Sequence, residues 1–188
     1  MKQIKGEYGY LHKKKIRQII KVALCAANIL LLLLLGVAIT KSRSNWLTIL
    51  AVVFCLPLAN FITTLVAVFP YHSGSQEKQE EFQKASKGLL VSYDMVITSK
   101  ELVLPVPFGV ISENGVFLYL GEKGKVSGIS QAQDYVERML RANGQDTHVH
   151  IFKDWQPFLR RISSLEREDK EYPEKLERQK AVLLAISI

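Results

Sequence analysis

Two uncharged apolar runs lie close together near the start of the chain. Val22 to Thr40 carries the block Leu30 to Leu35, and its nineteen residues cover roughly 28 Å as a helix, close to the thickness of a bilayer core. Trp46 to Pro70 is a second such run, long enough to cross with some tilt. Only Lys41-Ser-Arg-Ser-Asn45 joins them. So short a connection forces an antiparallel pair, and residues 19–70 read as a transmembrane helical hairpin. The first run is longer than the apolar core of a signal peptide, and no small-x-small step follows it. It reads as a permanent anchor.

Beyond Pro70 the pattern changes to that of a small α/β domain over 75–188, a mixed sheet covered by helices. Ser75 to Lys87 is a polar helix with Phe82 as its main large apolar residue, stopped by Gly88. Leu89 to Thr98 reads as a strand, and Leu102 to Val106 as another, ended by Pro105-Val-Pro107. Phe108 to Glu113 and Val116 to Leu120 flank Asn114-Gly115, a strong hairpin signal that predicts a type I′ turn centred on those two residues. Gly121 to Gly128 is a loop. Ser130 with Gln133 three residues on predicts a capping box, and Ala132, Val136, Met139 and Leu140 give that helix its buried stripe. Thr147 to Phe152 is a strand, and Asp154 caps a helix with Trp155, Phe158, Leu159 and Ile162 on its apolar face. After the charged stretch Glu166 to Glu171, Pro173 opens a last helix at its first-turn position. The apolar end, Val182 to Ile188, predicts a buried final strand.

Charge sharpens this division. Between Lys2 and Arg43 there are nine Lys/Arg and one acid, Glu7, whereas from Ser75 onward 16 Lys/Arg face 17 Asp/Glu. The net +7 therefore belongs to the membrane flanks. The near-neutral domain predicts no nucleic-acid partner, despite a pI near 9.4. The lysine asymmetry predicts a multi-pass protein of the cell membrane with both termini cytoplasmic. Lys13, Lys14, Lys15 and Arg17 sit at the inner interface in a basic juxtamembrane segment, residues 1–18. Trp46 sits at the outer interface and Tyr71 at the inner one. Tyr8 and Tyr10 beside the lysines suggest that residues 5–18 lie along the anionic inner leaflet, which makes the lipid bilayer the first expected partner. Cys25 and Cys55 both fall in apolar spans, so no disulfide framework is expected.

Two polar residues interrupt the spans, Asn28 and Asn60. Counted from the cytoplasmic ends they come to similar depth, so an amide–amide hydrogen bond across the hairpin is expected. Neither span core contains an acid or a base, as a transport path would need. Pro57 leaves the Val53 carbonyl without its helical donor.

Candidate chemistry is sparse. His148 and His150 alternate on one strand, so both rings are expected on one face, where two imidazoles can begin a metal site, with Asp146 or Asp154 as further ligands. Gly121-Glu-Lys-Gly-Lys125 lacks phosphate-loop spacing. The chain has no G-x-S-x-G, no H-E-x-x-H and no cysteine outside the spans. No cofactor is expected.

The stretch Phe108 to Trp155 resembles the nuclease-related (NERD) domain, a branch of the restriction-endonuclease-like fold. In that family a hairpin with an Asn/Gly turn is followed by a helix with a glutamine near its start, then by a strand ending in a Phe-polar step. FGVISENGVFLYLG, SQAQDYVERMLRANG and VHIFKDW give that succession here. The family's catalytic groups do not carry over. Its acid belongs near Gly109, and its E-x-K belongs on the second hairpin strand, where Phe117 to Lys123 reads FLYLGEK. Without two carboxylates and a lysine no metal is held for phosphodiester attack. The whole chain also resembles a group of two-span membrane proteins of Gram-positive bacteria. That likeness rests on Gly6 to Tyr10 (GEYGY) and on Cys55 to Pro57 (CLP) within span two.

The leading expectation is a membrane-tethered cytoplasmic α/β module, non-enzymatic, that binds or regulates a protein, with a cytoplasmic protein as a possible partner, or binds a small ligand. A divergent nuclease or hydrolase is the alternative, and requires Asp94, Glu113 and Glu122 to converge with Lys123. A small oligomeric transporter or channel subunit, built around Asn28 and Asn60, is a third.

Overall fold

A computed structural model describes residues 5–41, 46–99, 103–121, 128–166 and 172–187. The chain divides into two compact units, one made of residues 11–70 and the other of residues 1–10 together with 71–188.

The first unit is a pair of helices, α1 (Tyr10–Thr40) and α2 (Trp46–Val68), both long and apolar enough to cross a membrane. Each hides one stripe. On α1 the shielded positions include Leu11, Lys15, Gln18, Val22, Cys25, Ile29, Leu32 and Gly36. On α2 they include Ala51, Phe54, Leu58, Phe61, Leu65 and Val68. Alternating steps of three and four residues are the seam spacing of a two-helix coiled coil. Most of the remaining surface is exposed aliphatic side chain. The helix α2 continues through Pro57.

The second unit has a four-stranded sheet in the order β1–β2–β3–β4, made of β1 (Leu90–Thr98), β2 (Val103–Ser112), β3 (Gly115–Tyr119) and β4 (Val149–Phe152). The first three strands are antiparallel neighbours, and β4 lies parallel to β3. A parallel return needs a crossover, and α4 (Ile129–Ala142) supplies it. With α3 (Gln76–Ala85), α5 (Trp155–Ser163) and α6 (Glu174–Ala185) the unit has three layers. One sheet face packs Met95, Ile97, Leu104, Val106 and Leu118 against Val136 and Leu140 of α4 and Leu183 of α6. The other packs Phe108, Val110, Phe117 and Tyr119 against Phe82 of α3 and Phe158 and Ile162 of α5.

The two prolines do not split β2. The register runs without a slip from Leu90↔Ile111 to Thr98↔Val103, yet both strands exchange faces partway. On β2, Leu104 and Val106 face α4 and α6, whereas Phe108 and Val110 face α3 and α5. On β1, Leu90 and Met95 share a face although they stand five positions apart, an odd step. The exchange falls where Asp94 lies opposite Pro107, between the pairs Tyr93↔Phe108 and Met95↔Val106. Asp94 has φ +51, a left-handed conformation that Asp tolerates better than most residues. The carbonyl of Pro105 accepts from Gly121 N at 3.1 Å. The missing N–H of the ring therefore points past the end of β3, where no ladder needs it.

Other expectations shift by a residue or two. The hairpin pairs Ser112 with Gly115, so the two-residue turn is Glu113-Asn114 and not Asn114-Gly115. Gly115 itself has φ +132, and a Cβ there would meet the His148 carbonyl at 2.8 Å. Glycine is thus required by the approach of β4. The α4 helix begins after Gly128, which has no side chain to cap with, so Ser130 falls inside the helix and the expected capping box does not form. Asp154 is the N-cap of α5 without a side-chain bond, and Pro173 is the N-cap of α6, one place earlier than expected. The apolar end is not a strand. Helix α6 runs to Ala185, and among the described residues beyond it Ser187 forms an antiparallel bridge to Ile97.

Candidate functional site

The most densely built polar site surrounds Asp94, and it joins four parts of the chain. Asp94 is buried, and its Oδ2 accepts from Ser73 Oγ at 2.6 Å. Ser73 belongs to the segment between α2 and α3. The next residue, Gly74, lies flat against Phe108, with a Cβ at that place 2.3 Å from the ring. The carbonyl of Gly74 accepts from Tyr8 OH at 2.9 Å. The Tyr8 ring meets Tyr93 edge-on, with centroids 6.1 Å apart. The Tyr93 amide donates to the Gly6 carbonyl at 2.9 Å, which places the N-terminal segment along the outer edge of β1.

The same segment reaches the end of the chain. Lys5 Nζ donates to the Ser187 carbonyl at 3.1 Å and lies 3.5 Å from that of Leu184, satisfying acceptors left open at the end of α6. Gly6 has φ +89, and a Cβ there would sit 2.9 Å from Ser92 Oγ and 3.1 Å from Leu184 Cδ2. Residues 5–9 are therefore part of the domain, held by its backbone. The expectation that 5–18 forms one surface segment gives way to two pieces, since α1 starts at Tyr10 and carries Lys13, Lys14, Lys15 and Arg17. Burial, and after it the Asp94 carboxylate, raise the Tyr8 hydroxyl pKa above its usual 10. Burial alone does so for Tyr93.

A second polar–aromatic cluster covers the face of α3 and α5. Lys78 Nζ lies 5.5 Å and 5.7 Å from the ring centres of Tyr119 and Trp155. It is 3.3 Å from the Tyr119 hydroxyl. Trp155 Nε1 donates to Glu81 at 2.7 Å. Beneath them Phe82, Phe108, Tyr119 and Phe158 form a continuous aromatic layer.

Asp94 and Glu113 are spread apart. Asp94 lies inside β1, opposite Pro107. Glu113 is exposed at the β2–β3 turn, six residues farther along β2, roughly 20 Å of extended chain. Glu122 and Lys123 lie outside the described residues. The β3 positions where a nuclease would carry its E-x-K hold Val116, Phe117, Leu118 and Tyr119, all buried.

The histidines are not gathered either. His150 is exposed in β4, its ring stacked on Phe117 at 5.2 Å. His148 precedes the strand, with Nδ1 3.8 Å from Glu137 Oε1. Asp146 pairs with Arg141 at 3.2 Å on the surface. Among the described residues no three His, Cys, Asp or Glu side chains come together as a metal site would require.

Asn28 and Asn60 do not meet. Both are exposed on the outside of the helix pair. Cys25 Sγ, 3.7 Å from the Phe54 carbonyl, fixes the local level of the two helices. From that level Asn28 lies about one turn toward the connecting loop, and Asn60 well over one turn in the opposite direction. Trp46 is exposed at the start of α2, and Tyr71 is half-buried in the linker.

Sequence reasoning gave Tyr8 a place on the inner leaflet and Gly6 only a part in a likeness, and missed Ser73 and Gly74. The available signal was the glycine–tyrosine spacing of GEYGY together with a glycine between two serines, neither of which has a period to betray its partner. No protein-family model matches this chain, and no curated protein or solved structure does.

Proposed function

We propose that this chain is a two-span membrane protein whose two flanks and α/β domain share the cytoplasmic side, and that the domain is a binding or regulatory module tied to its own anchor. One observation carries the reading. The segment before α1 and the segment after α2 are both built into a single domain, through Gly6 to Tyr93 and through Tyr8 to Gly74. Two helices that cross a bilayer between such flanks must cross and return. The Lys/Arg excess before the first span assigns that shared side to the cytoplasm.

A binding role is favoured over catalysis because the buried carboxylate of Asp94 is engaged in holding the linker through Ser73. The β3 positions that would serve a nuclease are apolar on both faces. The order β2–β3–α4–β4 is the succession found in the nuclease-related resemblance, and we take it as shared architecture without the chemistry.

Cysteine labelling of intact cells tests the reading, in a chain whose Cys25 and Cys55 are replaced by Ala. A membrane-impermeant maleimide should label Ser42→Cys, in the connecting loop, and should label the exposed Ser130→Cys of α4 only after the cells are opened. Labelling of Ser130→Cys in intact cells would place the domain outside and overturn the orientation.

A further inference from the structure

We infer that this chain pairs with a second copy of itself in the bilayer, through the outer face of α1 and with Asn28 against Asn28. The inference rests on the membrane reading above. Asn28 lies off the seam that α1 shares with α2, on the exposed side of the helix. Leu24, Leu31 and Leu35, also exposed, continue the same face. With Asn28 they step by four, three and four residues, the spacing of a second coiled-coil seam with one amide in a row of leucines. In hydrocarbon that amide has no water to satisfy it, and an amide at the same depth on a second chain offers it both a donor and an acceptor.

The occupant follows from geometry. Copies inserted with the same topology place Asn28 at the same depth and set α1 parallel to α1. A two-fold axis along the membrane normal then brings the two amides together. An amide both donates and accepts, so it is complementary to itself. Asn60 cannot replace the second Asn28 in such a pair, because it lies at a different level along the hairpin. Its own face is interrupted by Pro57 within one turn. Nearby hydroxyls are already satisfied, with Thr63 and Thr64 Oγ1 donating at 2.9 Å to the Ala59 and Asn60 carbonyls.

The test uses the full chain in phosphatidylcholine–phosphatidylglycerol vesicles, with donor and acceptor dyes on Ser130→Cys in separate preparations. Flotation with the vesicles reports insertion independently. The inserted chain should show energy transfer that unlabelled copies compete away. Asn28→Leu should still float and should associate roughly tenfold more weakly, the size of one interhelical amide contact. Asn28→Gln should keep the transfer, and Asn60→Leu should leave it unchanged. A chain that floats but shows no competed transfer overturns the pairing while leaving the membrane reading intact. Transfer that survives Asn28→Leu, or is lost in Asn60→Leu, also overturns it. A chain that does not float overturns the membrane reading, and the pairing with it.

Discussion

The two edges of the sheet are closed by different means. At the β4 edge the outward N–H of Val149 donates to Glu137 Oε1 at 2.8 Å, and its carbonyl accepts from Gln133 Nε2 at 2.8 Å. Both partners sit one turn apart on α4, the helix that leads into that strand. At the β1 edge the cover is Gly6 at one place and Ser187 at another, contributed by the two ends of the chain. An open strand edge invites pairing with other chains, and both solutions remove that hazard. They differ in what they depend on. The cover at Val149 is in place as soon as α4 folds. The β1 edge is complete only when the segment that leads into α1 has come back to the domain. One edge is thus indifferent to the segment that leads into α1, and the other depends on it.

The largest effect should come from removing residues 1–9. Lys5, Gly6 and Tyr8 would no longer bond the domain, and the loss should be on the order of 3 kcal/mol. Unfolding of the full chain in detergent, followed by Trp155 fluorescence in a Trp46→Phe background, measures it. A melting midpoint unchanged by the deletion would break the distinction between the edges. Gly74→Val comes next, at about 3 kcal/mol or somewhat less, because its Cβ falls on the fully buried Phe108 ring. Gly115→Val should cost about 2 kcal/mol through its positive φ and the His148 carbonyl. It should loosen the junction of β3 and β4 while the Tyr93 amide stays protected in hydrogen exchange. Glu137→Ala should cost about 1 kcal/mol and expose only the Val149 amide.

The smallest effect is a pH dependence on the β1 side. Tyr8 and Tyr93 have hydroxyl pKa values raised in the folded chain. The unfolded chain therefore loses these protons first. Their contribution is fully present below the unfolded value near 10 and is lost as pH rises through the raised folded values. Stability measured from pH 9 upward should fall, and Tyr8→Phe should flatten the fall. An equal slope in the variant would remove Tyr8 from the account.

How much of this was legible follows the same division. The helix pair, the helices flanking β4 and the hairpin region were readable because each rests on local period. Val149 and Ile151 alternate with His150, and Ala132, Val136 and Leu140 recur at helical spacing. The exchange of faces at Asp94 and Pro107 was not readable. Period-two reasoning assumes one pleat throughout, and it divided β2 at its prolines. The end of α6 misled for a related reason, since Val182 to Ala185 is apolar enough for a strand but packs as a helix beneath the sheet. Asn28 and Asn60 were matched by counting from assumed membrane ends, whereas the register of the pair is set by its seam. The Asp94 site was out of reach because its members, Tyr8, Ser73, Gly74 and Asp94, lie up to 86 residues apart in a chain of 188, and nothing local ties one to another.

The central claim is that the N-terminal flank completes the β1 edge. Hydrogen exchange at the Tyr93 amide, read beside that at Val149, tests it most directly. In the full chain both amides should be protected. In a chain lacking residues 1–9 the Tyr93 amide should exchange faster by on the order of tenfold or more, the loss of one hydrogen bond of about 1.4 kcal/mol, while Val149 is unchanged. Equal protection of Tyr93 in the two chains would show that Gly6 does not hold that edge, and would contradict the account.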